Sequence, residues 1–193
     1  EEICEICGCL AAMLRYSTST KERYATVEKE LEYLDRYIFL LKSRYEHRLE
    51  VKVDCEESVK QEQLPKIVLQ QLVENSIQHG YNNSKNIMKI QVKGWRDETG
   101  WYFEVRDNGQ GATEEVREEL NEKMRKIREK IMSRGSSIEM EIGGMGLANT
   151  YARMFLLYNG KAVFRIRNME EGLSVIIGVS EKEERTDVSG DGR

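Results

Sequence analysis

The sequence is organised around the stretch LQQLVENSIQHG at residues 69–80. Its apolar residues recur three and four positions apart, which is typical of one face of an α-helix. The polar residues Gln71, Asn75, Gln78 and His79 lie at offsets of 0, 4, 7 and 8 and share a second face, with Glu74 at its border. Amide and carboxylate oxygens are hard ligands that suit Mg2+, so this face could hold a polar ligand with a metal ion. On its own, the pattern fits an ordinary solvated helix face at least as well.

The helix that carries this stretch has a predicted start and a predicted end. We expect it to begin at Pro65, because a proline in the first turn lacks an N–H group that would be unpaired anyway. Gly80 is well placed to end it, since glycine commonly follows the last helical turn. The predicted helix therefore spans Pro65 to His79.

Two glycine-containing motifs lie further along the chain, DNGQG at residues 107–111 and GGMGLAN at residues 143–149. The first follows a predicted strand, where glycines let the backbone turn sharply and an aspartate can accept a hydrogen bond from an exocyclic amine such as that of adenine. The second precedes a predicted helix, and the N–H groups at a helix N-terminus favour phosphates. Each motif also has a plain structural explanation, a β-turn for the first and a flexible loop before a helix for the second.

The order of predicted elements after residue 48 indicates the fold class. Runs that alternate apolar and polar residues predict strands at 49–54, 87–93, 101–106, 162–167 and 173–179. Helical patterns occupy residues 65–79, 113–134 and 147–158. Because adjacent strand pairs are joined by short turns, we expect a mixed, largely antiparallel sheet covered by helices, which is an α/β two-layer sandwich.

Two amphipathic patterns at residues 3–14 and 27–45 precede the sandwich and predict a helical hairpin. The second has a heptad-like apolar stripe made of Val27, Leu31, Leu34, Ile38, Leu41 and Tyr45. We interpret the hairpin as a pairing or signalling stalk; the alternative is that both stripes cover the following domain. The predicted organisation is a helical region at 1–47, a sandwich domain at 48–181 and a disordered polar tail at 182–193.

Composition excludes several classes of protein. Charged residues make up 33% of the chain, above the ~25% of an average domain, and no apolar run approaches the ~20 residues that cross a bilayer. The net charge of −4 argues against nucleic acid as a partner. The four cysteines are too few for a disulfide framework, and nothing nearby completes a zinc site around Cys4 and Cys7. The chain opens without methionine, which suggests a fragment of a longer protein.

The order and spacing of the three motifs are far more specific than any one of them. Together they resemble the N, G1 and G2 boxes of the histidine-kinase ATP-binding domain, in the superfamily shared with gyrase, Hsp90 and MutL. The segments LRYS at 14–17, EKEL at 28–31 and RY at 44–45 look like those ahead of the N box in bacterial sensor kinases of the YesM and LytS type. The resemblance covers most of residues 10–180 and implies a Bergerat-type fold that uses ATP and Mg2+.

The resemblance also implies a role for each matching residue. Asn75 would bind Mg2+ through its side-chain oxygen, and Asp107 would accept a hydrogen bond from the adenine amino group. Room for the base and backbone N–H groups for the phosphates would come from Gly109, Gly111, Gly144 and Gly146. Further nucleotide contacts would come from Gln78, His79, Tyr81, Asn108, Met145 and Leu147. Residues 112–142 would form the lid that closes over the nucleotide.

Three features depart from the pattern of the family. Its phosphoacceptor histidine lies in a Pro-His-Phe type motif that neither His47 nor His79 matches, so the acceptor would lie outside this chain. Residues 123–134 of the lid carry six basic residues. One of these side chains could reach the γ-phosphate; the alternative is that the segment is an ordinary solvated helix. Where the family has a terminal Gly-Thr pair, this chain has GLS at residues 172–174. The threonine hydroxyl is therefore lost, or its place is taken by the hydroxyl of Ser174.

The resemblance implies a kinase rather than a hydrolase. The glutamate that acts as general base in the hydrolases of the superfamily is Gln71 here, and an amide cannot accept a proton at neutral pH. Glu74 and Asn75 would be the catalytic residues for transfer of the γ-phosphoryl group to a histidine.

Partners and location follow from the same resemblance. The expected partners are an upstream histidine-bearing helix, a response regulator and a second copy in a homodimer, on the cytoplasmic side of a bacterial inner-membrane protein. The alternatives are an ATP hydrolase of the same superfamily and a degenerate dimer scaffold.

Overall fold

The structure is a computed structural model that describes residues 2–19, 22–80, 87–134 and 146–181. The helices in this part of the chain are α1 (Glu2–Thr18), α2 (Val27–Tyr45), α3 (Val68–Gly80), α4 (Glu114–Arg134) and α5 (Leu147–Leu157). The strands are β1 (Tyr24–Thr26), β2 (Leu49–Cys55), β3 (Gln63–Pro65), β4 (Met88–Asp97), β5 (Gly100–Asp107), β6 (Ala162–Asn168) and β7 (Leu173–Ser180). None of the helices described here is long and apolar enough to cross a membrane.

The central sheet has five strands in the order β2-β4-β5-β7-β6. β2 pairs with β4 in parallel, and the pairs β4–β5, β5–β7 and β6–β7 are antiparallel. Along β4, Met88, Ile90 and Val92 are buried whereas Lys89 and Gln91 are exposed, so one face of the sheet holds the core. α3 packs against β4, β5 and β7, and α2 and α5 pack against α3. The prediction of an α/β sandwich with a mixed, largely antiparallel sheet is confirmed.

The apolar stripe of α2 belongs to the core of the sandwich. Leu34, Ile38 and Leu41 are buried in one cluster with residues of α3 and of the sheet. Thr26 caps the helix, because its side-chain oxygen accepts a hydrogen bond from the N–H group of Lys29. The stripe of α2 therefore covers the adjacent domain, as the alternative has it for this helix, whereas the role of the hairpin as a pairing or signalling stalk stays a prediction.

The stripe of α1 behaves differently, because it stays outside the core. Ile3, Leu10 and Leu14 are 76%, 47% and 62% exposed. α1 contacts α2, so the predicted hairpin is present. The alternative that the stripe of α1 also covers the following domain is wrong.

α3 begins at Val68, later than the sequence predicts. Pro65 is the last residue of β3, which pairs antiparallel with β1 so that Pro65 lies opposite Tyr24. Ile67 then adopts a positive φ of 71°, a left-handed conformation that a right-handed helix does not contain. The prediction that Pro65 opens the helix is wrong, because pairing with β1 holds the proline in an extended strand.

Because α2 shares the core of the sandwich, its packing should affect the stability of the whole domain. We expect Ile38→Val to destabilise the domain by about 1 kcal/mol, since one methylene is lost from the core. The matched change Ile3→Val should cost less than about 0.5 kcal/mol, because Ile3 is 76% exposed. Urea unfolding followed by the fluorescence of the buried Trp101 measures both effects. Equal effects, or a separate transition for α2, would contradict this placement.

Candidate functional site

Asp107, the last residue of β5, is held at the edge of the core. It lies on the same face of the strand as the buried Phe103 and Val105 and is 5% exposed. Its Oδ1 atom accepts hydrogen bonds from the N–H groups of Gly109 at 2.8 Å and Leu173 at 3.3 Å. Both of the bonds that the described residues make to this carboxylate end on Oδ1, which leaves Oδ2 for a ligand.

The loops around Asp107 fit so tightly that glycine is required at two positions. Gly172 has a φ of 80°, and a Cβ atom there would lie 1.9 Å from the carbonyl oxygen of Asp107. Gly111 has a φ of 73°, and its Cβ would lie 2.9 Å from Asn168 Oδ1. Asn168 bonds both the N–H group and the carbonyl of Ala112, at 2.9 and 2.8 Å. Gly111 is thus required by the backbone of the loop itself, whatever room it also leaves for a base.

Asn108 uses its side chain to attach this loop to the start of β4. Its Oδ1 accepts a hydrogen bond from the Lys89 N–H group at 2.7 Å, and its Nδ2 donates to the Ile87 carbonyl at 3.0 Å. Both polar atoms of the amide are therefore bonded to backbone, and Asn108 supports the position of Asp107. A contact between Asn108 and a nucleotide stays a prediction.

Asn75 and Gln71 lie one turn apart on α3 and are bonded to each other. The Asn75 Nδ2 atom donates to the Gln71 carbonyl oxygen at 2.9 Å. Only an N–H group can donate to a carbonyl, so Oδ1 is the atom of this amide that can ligate a metal. Gln71 is 7% exposed, and its Oε1 accepts a hydrogen bond from Thr150 of α5 at 3.0 Å. Gln71 therefore links α3 to α5.

Glu74 and Gln78 also form a pair along α3, with Gln78 Nε2 donating to Glu74 Oε1 at 3.1 Å. Burial, and after it the negative charge of Glu74, raises the pKa of Tyr37 on α2 to about 12. The Glu74 carboxylate is thus within electrostatic reach of α2. Gln78 and His79 are exposed near the end of α3. Their contacts with a nucleotide and the catalytic role of Glu74 stay predictions.

The N-terminus of α5 begins at a glycine that has room around it among the described residues. Gly146 is its N-cap, and a Cβ atom placed there meets no heavy atom of the described chain within 4 Å. Leu147 is the first residue of the helix, whose first-turn N–H groups are suited to a phosphate oxygen. The remaining predicted contacts in this region, Tyr81, Gly144 and Met145, lie outside the described residues.

Two cavities border these elements. One of about 710 Å3 lies where α3 and α5 meet the segment after α1, and its lining includes Gln71, Asn149 and Arg153. The other, of about 310 Å3, borders Asp107 from the face of the sheet on which Arg106 is exposed. Because side chains alternate along a strand, the carboxylate of Asp107 belongs to the opposite face, which α3 covers.

The first part of the predicted lid is a regular helix, α4, which packs on α5 through the buried Met124 and Ile131. Three of the basic side chains at 123–134 pair with acids one turn away, in the pairs Lys123–Glu119, Arg125–Glu122, Arg125–Glu129 and Lys126–Glu122. Arg128 lies 5.9 Å from the ring centroid of Phe155. The interpretation as a solvated helix therefore fits Lys123, Arg125 and Lys126, whereas Arg128 packs on α5. Residues 135–145 lie outside the described chain.

Ser174 lies on the face of the sheet opposite the core residues Val175 and Ile177. It is opposite Arg106 in the register of β5 and β7, and its hydroxyl donates to a carboxylate oxygen of Glu104. The alternative that the family's hydroxyl is shifted to Ser174 is wrong, because Asp107 and the buried face lie on the other side.

A buried carboxylate next to α3 was not predicted from the sequence. Glu30 of α2 is 1% exposed, and its Oε1 accepts hydrogen bonds from the Tyr16 hydroxyl and the Ile67 N–H group. Burial raises the pKa of this carboxyl, while the Tyr16 hydroxyl and the N–H groups at the start of α3 lower it. The position of Glu30 in the helical pattern could have indicated its burial. It lies three residues after Val27 and four before Leu34, on the side of α2 that becomes buried.

Binding of a metal ion at this site would need oxygen atoms from the nucleotide as well as from the protein. Among the described residues, no group of three or more His, Cys, Asp or Glu side chains could hold a metal ion. The Oδ1 atom of Asn75 fits Mg2+, which binds next to nucleotides through one or two protein oxygens, phosphate oxygens and water.

Two family models match the chain. The model described as histidine kinase-, DNA gyrase B-, and HSP90-like ATPase matches residues 60–188, which is more than half of the chain. The model described as histidine kinase matches residues 1–49.

Individual relatives are sensor proteins. The sensor protein LytS of Enterococcus faecalis is 33% identical over 147 residues, covering 76% of this chain and 23% of LytS. The sensor protein LytS of Bacillus cereus is 28% identical over 157 residues, covering 81% of this chain and 25% of that protein. The chain thus spans about a quarter of the length of these relatives.

The fold is shared with a solved kinase domain. The catalytic domain of histidine kinase ThkA has a TM-score of 0.51 at 17% identity, covering 79% of this chain and 92% of that domain. The family model over residues 60–188 covers more than half of the chain, so the chain belongs to the family of histidine kinase-, DNA gyrase B- and HSP90-like ATPases.

Proposed function

We propose that residues 48–181 bind ATP with Mg2+ and transfer its γ-phosphoryl group to a histidine elsewhere in the parent protein. The observation that carries the proposal is the buried carboxylate of Asp107. Two backbone N–H groups fix its Oδ1 atom, and Oδ2 is left to accept a hydrogen bond from the adenine amino group. An acceptor of this kind selects adenine over a base that carries a carbonyl at the same position.

The phosphates would lie between α3 and the start of α5. Asn75 Oδ1 would hold the metal ion, and the N–H groups near Gly146 would bind phosphate oxygens. When bound, Mg2+ neutralises negative charge on the phosphates. The contribution of the chain is to hold the γ-phosphate in position for an incoming acceptor.

In the transfer step, the imidazole nitrogen that carries no proton attacks the γ-phosphorus. The bond from phosphorus to the β,γ-bridging oxygen breaks, ADP leaves with the electron pair, and the proton on the other ring nitrogen is released. Water could compete with imidazole only if a base were available. Gln71 cannot supply one, and its amide oxygen is already bonded to Thr150, which supports a kinase over a hydrolase.

The remaining parts of the proposal concern the parent protein. We assign residues 1–47 to the rear part of a dimerisation and phosphotransfer region, although α2 packs with the sandwich. A histidine-bearing helix of the same protein, a response regulator and a second copy of the chain are its proposed partners. We place the domain on the cytoplasmic side of a bacterial inner-membrane protein, as the resemblance to bacterial sensor kinases implies.

The test mixes this chain with the histidine-bearing segment of its parent protein and ATP labelled at the γ-phosphate. We expect label on that segment that is stable in base and lost in acid, as for phosphohistidine. The control is the same segment with its histidine replaced by alanine. Steady release of labelled phosphate without transfer would support a hydrolase, and no binding of ATP at all would support a degenerate scaffold.

A further inference from the structure

The end of α1 is attached to the sandwich through one aromatic residue, Tyr16. Its hydroxyl donates to Glu30 Oε1 at 2.6 Å, and its ring stacks on Tyr33 with centroids 4.7 Å apart. The Lys66 ammonium lies 4.7 Å from the centroid of the Tyr16 ring and donates to the carbonyls of Tyr16 and Ser19, each at 3.4 Å. A buried cation at a helix C-terminus is favourable, so α1 is fixed at this end although its apolar stripe is exposed.

Glu30 connects this attachment to the start of α3. The same Oε1 atom that binds Tyr16 accepts a hydrogen bond from the Ile67 N–H group at 2.8 Å. Ile67 has a φ of 71°, which is a strained conformation for a β-branched residue and persists only where neighbours hold it. Glu30 is therefore one of the groups that hold the turn from which α3 begins.

From this turn, hydrogen bonds continue to the predicted metal ligand. The Ile67 carbonyl accepts a hydrogen bond from the Gln71 N–H group at 3.0 Å. The Gln71 carbonyl in turn accepts one from Asn75 Nδ2 at 2.9 Å, which fixes the plane of that amide. A connected series of hydrogen bonds thus runs from α1, through Glu30, to the side chain of Asn75.

We propose that Tyr16 and Glu30 are positioning residues for the nucleotide site. They set the first turn of α3, and with it the Asn75 amide, according to where the end of α1 lies. The inference rests on the proposed function, because that function assigns Asn75 to the metal ion. Since coupling between two sites is reciprocal, binding of ATP with Mg2+ should also strengthen the attachment of α1.

The first test needs no ligand and uses Tyr16→Phe, which keeps the ring and removes the hydroxyl. We expect the Ile67 amide to exchange with solvent about fivefold faster, the change that loss of one typical hydrogen bond produces. The NMR signals of the Asn75 side-chain amide should shift as well. The matched control is Tyr158→Phe, which removes a hydroxyl bonded to the Gln63 carbonyl at 2.7 Å, a hydrogen bond at the start of β3 that does not involve Glu30. Equal effects of the two variants on Ile67 and Asn75 would overturn the inference.

The second test measures ATP affinity by calorimetry, once with Mg2+ and once with a chelator. We expect the gain in affinity that Mg2+ gives to fall about fivefold in Tyr16→Phe and to stay unchanged in Tyr158→Phe. Glu30→Ala should lower the gain further, and adding Tyr16→Phe to it should have no additional effect, because both act through one carboxylate.

If Glu30→Ala does not fold, Tyr16→Phe decides the question alone. A wild-type chain that binds no ATP would refute the proposed function. A wild-type chain that binds ATP with a gain from Mg2+ that Tyr16→Phe leaves intact would refute only this inference.

Discussion

Asp107→Asn is expected to weaken the binding of ATP by about 100-fold and the binding of ITP by much less. The N–H groups of Gly109 and Leu173 donate to Oδ1, so the asparagine must place its oxygen there. Its NH2 group then takes the place of Oδ2 and meets the adenine amino group, donor against donor. Hypoxanthine carries a carbonyl at that position and can accept from the new NH2 group. Loss of a hydrogen bond to a charged group, with an unpaired donor left behind, accounts for about 2.7 kcal/mol.

Competition calorimetry with ATP and ITP measures this change in selectivity. Asp97→Asn is a matched control, because the Asp97 carboxylate also accepts a hydrogen bond from the N–H group two residues ahead, that of Thr99 at 2.7 Å. Asp97 is the last residue of β4 and pairs with Gly100, at the opposite end of β5 from Asp107. We expect Asp97→Asn to leave the ratio of the two affinities unchanged. Equal losses for ATP and ITP in Asp107→Asn would show that the carboxylate does not contact the base.

The sheet and the helices were predictable because their sequence patterns are local. β4 alternates buried and exposed residues from Met88 to Gly94, and the stripe of α3 has helical spacing, so each pattern is kept in the fold. The start of α3 was not predictable, because a long-range pairing determines it. Pro65 is extended only because β1 lies beside it, and Ile67 is held by Glu30, which lies 37 residues earlier in the chain.

The packing partner of the apolar stripe on α2 was also not predictable from the sequence. A spacing of four and three serves a partner helix or the core of the same domain equally well, and only the packing of Leu34 and Ile38 decides between them. The site shows the same limit. The motif predicted Asp107 at a strand end from local sequence. The hydrogen bonds of Asn168 with Ala112 and of Thr150 with Gln71 were not predictable, because they join segments far apart in the chain.

Asn75→Ala is expected to remove most of the gain in ATP affinity that Mg2+ provides, a loss of about 30-fold or ~2 kcal/mol. The Asn75 Nδ2 atom is bonded to the Gln71 carbonyl, so its Oδ1 atom is the oxygen that the metal would lose. Affinity measured with a chelator should change little, because Asp107 and the start of α5 are untouched. The dependence of the affinity on the concentration of Mg2+ is the readout.

The matched control for Asn75→Ala is Asn121→Ala, the same change at an exposed position of α4. We expect it to leave the affinity unchanged with and without Mg2+. Melting temperatures of the two variants separate a loss of folding from a loss of the metal ligand, since the affinity measured with a chelator also falls if the domain is unfolded. If Asn75→Ala binds ATP with the full gain from Mg2+, the metal is held by other oxygens, and the assignment of this helix face to the phosphates is wrong.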